Sequence, residues 1–104
     1  MEKLKLIDGE FSALELKEIL LNVFLKKIEF HKIKNFSSQI RFGIDDTVAI
    51  QKISELEHSI EKLSELIKEA REKELKFTVF SEVVIDFISN NNSPHKTDLL
   101  VDKE

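Results

Sequence analysis

Ala49, Ile53, Leu56, Ile60, Leu63, Ile67 and Ala70 follow one another at steps of 4, 3, 4, 3, 4 and 3 residues. That alternation keeps an apolar residue on one side of every helical turn and makes a coiled-coil-like seam. The positions between are almost all Glu, Lys, Ser or His, so the opposite side is built for water. Asp45, Asp46 or Thr47 can each cap the start, and acids there suit the helix dipole. The pattern predicts a helix from about residue 46 to about residue 74. Its seam must lie on another helix, within a hairpin or across a dimer axis.

The partner helix is announced upstream by Ser12 and Glu15. Ser12 can accept from the Glu15 amide while the Glu15 carboxylate reaches back, and Phe11 and Leu16 hold the two positions of a hydrophobic staple. A helix therefore starts near residue 13. Leu16, Ile19, Leu20, Val23 and Phe30 share one side of it, and Leu14, Leu21, Leu25 and Ile28 fall nearly opposite. Two apolar sides imply a helix covered twice, so Leu14, Leu21, Leu25 and Ile28 are the candidate oligomer interface.

Between the helices lies FHKIKNFSSQIRFGIDD, residues 30 to 46. One reading makes it a ligand loop: Lys32, Lys34, Ser37, Ser38, Gln39 and Arg41 supply donors suited to phosphate or carboxylate. From Lys26 to Arg41 the cations Lys26, Lys27, Lys32, Lys34 and Arg41 face only Glu29. The other reading continues the helix through Ser-Ser-Gln and stops it at Gly43, a left-handed terminator. That second reading gives two helices of nearly equal length and a short connection, as an antiparallel hairpin requires, and is preferred. The glycine spacing of a phosphate-binding loop is missing. The six polar residues then sit at the hairpin tip as the candidate site for a polar ligand or partner.

Short β segments flank the pair. Lys3-Leu-Lys-Leu-Ile alternates, and Asp8-Gly9 offers a turn after it. From Leu75 the period becomes two: Leu75, Phe77, Val79, Val83, Ile85 and Phe87 share a face, as one strand or as two with a break near Ser81-Glu82. The polar run from residue 89 to residue 104 reads as a flexible tail, with Leu99-Leu-Val as a weak docking patch.

Composition agrees with this plan. Two glycines and one proline in 104 residues argue against a turn-rich β fold, and 35% charged residues clothe a helical surface. The absence of cysteine removes disulfides and thiolate chemistry. No run approaches a membrane span or a signal peptide, so a soluble cytoplasmic protein with no membrane partner is expected.

Chemistry is harder to place. Glu55-Leu-Glu-His58 has the ligand spacing of carboxylate-bridged metal bundles, with Glu29 as a conceivable extra carboxylate. Glu55 lies at the margin of the seam and His58 outside it, so a solvated face is the better reading and no metal or cofactor is expected. His31, His58 and His95 form no triad and no nucleophile elbow exists; His31, between lysines, is expected at the surface. The net charge of −4 and the acidic second helix speak against nucleic acid, leaving the basic band as the alternative.

The expectation is an α+β, helix-dominated β-α-α-β protein. Residues 1–88 form a single domain and 89–104 a tail, and a long antiparallel helical hairpin lies between two strands whose sheet is completed by dimerisation. Function is expected to be non-enzymatic: a homodimeric interaction or scaffold module. The alternative is nucleic-acid or anionic-ligand binding through Lys26 to Arg41.

Overall fold

The computed structural model describes residues 1–90. The elements follow in the order β1 (Glu2–Phe11), α1 (Ala13–Phe42), α2 (Thr47–Lys73) and β2 (Phe77–Ile85), and the two strands pair in an antiparallel sheet. The expected docking patch at Leu99-Leu-Val and His95 lie outside the described residues. Among the described residues two compact units are formed: Glu10–Phe77, which holds both helices, and Met1–Gly9 with residues 78–90.

The helix ends are fixed by the chemistry anticipated for them. At the start of α1 the Ser12 hydroxyl accepts from the Glu15 amide at 3.1 Å, and the Glu15 carboxylate accepts from the Ser12 amide at 2.9 Å. Two donors that the helix leaves without partners are thereby satisfied. These bonds, the one to the Ser12 backbone first, hold the Glu15 carboxyl below the ordinary glutamate range; the Lys76 charge adds to the effect. Gly43 ends α1 in the left-handed region with φ 72°, and its amide donates to the Gln39 carbonyl at 2.9 Å. Asp46 caps α2, its carboxylate accepting from the Ala49 amide at 3.0 Å.

The seam of α2 is where the heptad pattern puts it. Ala49, Leu63, Ile67 and Ala70 are buried, and Ile53, Leu56 and Ile60 are half-buried. The two helices pack as a hairpin joined by the short connection Gly43-Ile44-Asp45-Asp46. The matched helix lengths are thus realised, and residues 36–42 are helix rather than loop.

The inner side of α1 draws on both apolar stripes read in the sequence: of the first, Leu16 is buried and Ile19, Leu20 and Val23 are half-buried, and of the second, Ile28 is buried and Leu21 half-buried. Leu16, Ile28 and His31 are buried, Leu20, Phe24, Asn35 and Ser38 are half-buried, and Phe30 is exposed. Apart from the exposed Phe30, these residues trace a line between the two stripes, so the helix meets its partner along the boundary where they join. Ile28 is 7% exposed and packs inside the chain's own hairpin unit. The line is hard to see in sequence because His31, Asn35 and Ser38 interrupt it with polar groups.

Both strands differ from expectation in extent. β1 runs on through Asp8 and Gly9, so that dipeptide is strand and not a turn. β2 is continuous through Ser81-Glu82, with no break. Leu75 lies before it and is spent on closing α2, its amide donating to the Ala70 carbonyl at 2.8 Å. Within β2, Phe77, Val79 and Ser81 are half-buried while Thr78 and Phe80 are exposed, the period of two expected for a strand.

Candidate functional site

The hairpin tip gathers most of the polar residues singled out in the sequence. Lys34, Ser37, Ser38 and Arg41 line one open depression of about 340 Å³, with Ile33 and Phe42 at its edges and Asp46 beside them. Helical spacing explains the grouping: 34, 37, 38 and 41 are one turn apart in sequence and share a side of α1. Lys32 projects away from this set. Gln39 is directed to the connection instead.

Two of these side chains have structural work. The Ser38 hydroxyl donates to the Ile44 carbonyl at 2.9 Å, and the Gln39 side-chain amide donates to the Asp45 carboxylate at 2.6 Å. A third bond, not foreseen, runs from the Asp46 amide to the Asn35 side-chain oxygen at 2.7 Å. Together they bind the last turns of α1 to the connection and to the cap of α2. The groups left for a ligand are Lys34, Ser37 and Arg41, together with the acceptor lone pairs of Ser38. Lys34 stands 5.5 Å from the centre of the Phe30 ring, a cation–π distance that holds the ammonium over this side of the helix.

His31 is not the surface residue expected from its lysine neighbours. It is 3% exposed, and its ring meets Phe30 edge-on at 5.2 Å. No buried side-chain nitrogen or oxygen among the described residues is left without a hydrogen-bond partner, so the ring is a satisfied interior group. His58 lies far out on the wet side of α2, 4.0 Å from Glu61. No group of three or more His, Cys, Asp or Glu among the described residues stands close enough to hold a metal ion. No helix among them is long and apolar enough to cross a membrane.

The expected interface residues are divided by the fold. Leu14 and Leu25 are about half exposed, at 54% and 49%. Leu21 lines a groove of about 300 Å³ between the helices, opposite Ile60, Leu63 and Ile67 of α2. Lys17, Lys68 and Arg71 line the same groove. The cations were missed in sequence because each reads as part of a solvated surface; only the packing of the two helices brings Lys17 beside Lys68 and Arg71.

A further apolar stripe was also passed over. Ile33, Phe36 and Ile40 are 59%, 60% and 68% exposed, at i, i+3 and i+7 along the outer side of α1. Phe42, Ile44 and Val48 add exposed apolar surface near the connection. Comparison with protein-family models, curated proteins and solved structures found nothing that matches this chain.

Proposed function

We propose that this chain is a non-enzymatic interaction module that works as a homodimer in the cytoplasm. One observation carries the reading: none of the eight phenylalanines is buried, and Phe30, Phe36, Phe42, Phe80 and Phe87 are exposed. Each phenylalanine brings a large apolar surface to a fold, and a single chain that half-buries three of them and leaves five exposed forgoes much of that stabilisation. Large contiguous apolar exposure marks association surfaces.

A second copy meets this need in two places. Packed on the stripe of Ile33, Phe36 and Ile40, it covers the outer side of α1. Among the described residues the sheet has two strands, each with an open edge there; pairing with another copy extends it. The absence of cysteine suits a reducing compartment. Sedimentation equilibrium of the full chain at micromolar concentration tests the proposal: a dimer supports it, and a stable monomer removes it.

The depression at the tip favours a second reading, binding of an anionic ligand or nucleic acid. Lys34, Ser37 and Arg41 face it as donors suited to phosphate, while the Ser38 hydroxyl beside them is spent on the Ile44 carbonyl. Binding of random single-stranded RNA and duplex DNA, followed by anisotropy against salt, tests it. Salt-sensitive binding that is lost when Lys32, Lys34 and Arg41 are changed to Glu favours this reading.

A further inference from the structure

The groove beside Leu21 differs from the other apolar surfaces in its charge. Its inner wall is formed by Leu63 and Ile67, both buried, together with Leu21 and Ile60. Lys17 stands on the α1 side and Lys68 and Arg71 on the α2 side; Glu72 is the one acid in the lining. Lys17, Lys68 and Arg71 make no ion pair among the described residues. An apolar trough lined by three cations and one acid attracts an apolar segment that brings its own acids.

The apolar surface is longer than the cavity. Leu14 and Leu25 lie on the same side of α1 as Leu21, at steps of 7 and 4, and both are half exposed. From Leu14 to Leu25 the helix rises roughly 16 Å, about three turns. That length suits a helix laid along the hairpin better than a small amphiphile seated in the cavity alone. A second copy of this chain is a poor occupant: the far half of α1 is basic, and the wet side of α2 mixes Glu with Lys.

We propose that this groove receives an amphipathic helix of another protein, with acidic side chains along its margins, as a third helix on the hairpin. The inference rests on the reading of the chain as an interaction module but not on its dimeric state. Lys17, Lys68 and Arg71 select the partner by charge, and Leu14, Leu21, Leu25, Ile60 and Ile67 supply the apolar contact.

The test uses the full chain and three probes: a synthetic helical peptide with leucines at heptad spacing and glutamate margins, the same peptide with lysine margins, and dodecanoate. Anisotropy should show the glutamate peptide bound at least about tenfold more tightly than the lysine peptide, the size expected of a charge-selective contact. Lys68→Glu with Arg71→Glu should invert the order while circular dichroism shows the helices intact. Equal binding of the two peptides, no binding of either, or binding of dodecanoate alone would overturn the proposal. Sedimentation of the same samples keeps the two readings apart. A monomer that prefers the acidic peptide supports the groove and removes the dimer, and a dimer that ignores it does the reverse.

Discussion

The amide of Asp46 donates to the side-chain oxygen of Asn35 at 2.7 Å, across 11 residues of chain. The same Asp46 accepts from the Ala49 amide, so one residue closes the hairpin with its backbone and starts α2 with its side chain. Asn35→Ala leaves a part-buried amide without its acceptor and should destabilise the chain by about 1–2 kcal/mol. Urea titration followed by circular dichroism checks this, through a lower midpoint at unchanged slope. An unchanged midpoint would mean that water replaces the asparagine without loss.

The polar residues at the tip should separate by role. Ser38→Ala removes the donor to the Ile44 carbonyl and is expected to lower stability by about 0.5–1.5 kcal/mol. Lys32, Lys34 and Arg41 hold no bond in the connection, and replacing each by Gln should stay within about 0.5 kcal/mol of the parent. Thermal denaturation of the four variants measures the contrast. Equal losses across the set would contradict the division between closing residues and free residues.

The two helix stops predict changes of opposite sign. Gly43 has φ 72°, and a methyl group added there would meet nothing within 4 Å. Gly43→Ala therefore costs only the backbone penalty of the left-handed region, about 1–2 kcal/mol. Glu74 ends α2 at φ 56°, where a side chain is disfavoured. Glu74→Gly relieves that conformation and should gain up to about 1 kcal/mol. Denaturation midpoints moving down for the first and up for the second are the expected result.

The capping box should titrate. Glu15 is held below the ordinary glutamate range by the hydrogen bonds it makes while ionised. Its contribution is complete above the unfolded-state value and is lost as pH falls through the lower, folded value. Glu15→Gln keeps an oxygen for the Ser12 amide but does not ionise. The parent should therefore hold an advantage over this variant at neutral pH that shrinks in acid, measured as the difference in their melting temperatures between pH 7 and about pH 3. A difference that is constant with pH would show that the charge of Glu15 contributes nothing.

Legibility in the sequence followed the locality of the signal. Ser12 and Glu15, Gly43, and the seam from Ala49 to Ala70 act within a turn or repeat every turn, so both helices and their ends could be read directly. The inner line of α1 could not, because it depends on where α2 lies, and because His31, Asn35 and Ser38 are polar residues placed inside by their partners. Gly9 shows the same limit in a strand: a dipeptide with turn chemistry stays extended when β2 pairs beside it. At the tip, the place was legible from the run of lysines and serines. The distinction between Ser38, which closes the connection, and Arg41, which remains open, required the fold. The groove with Lys17, Lys68 and Arg71 had no sequence signature, since its parts lie about 50 residues apart.

Self-association is the claim on which the functional account turns, and the stripe of Ile33, Phe36 and Ile40 offers the most direct trial. Sedimentation equilibrium of the parent chain beside the double variant Phe36→Glu with Ile40→Glu measures it. Both residues are well exposed in the single chain, so the variant should keep its helix content. The account predicts a parent with twice the mass of one chain and a variant that sediments as a folded monomer. A parent that is already monomeric, or a variant that remains fully dimeric, would contradict it.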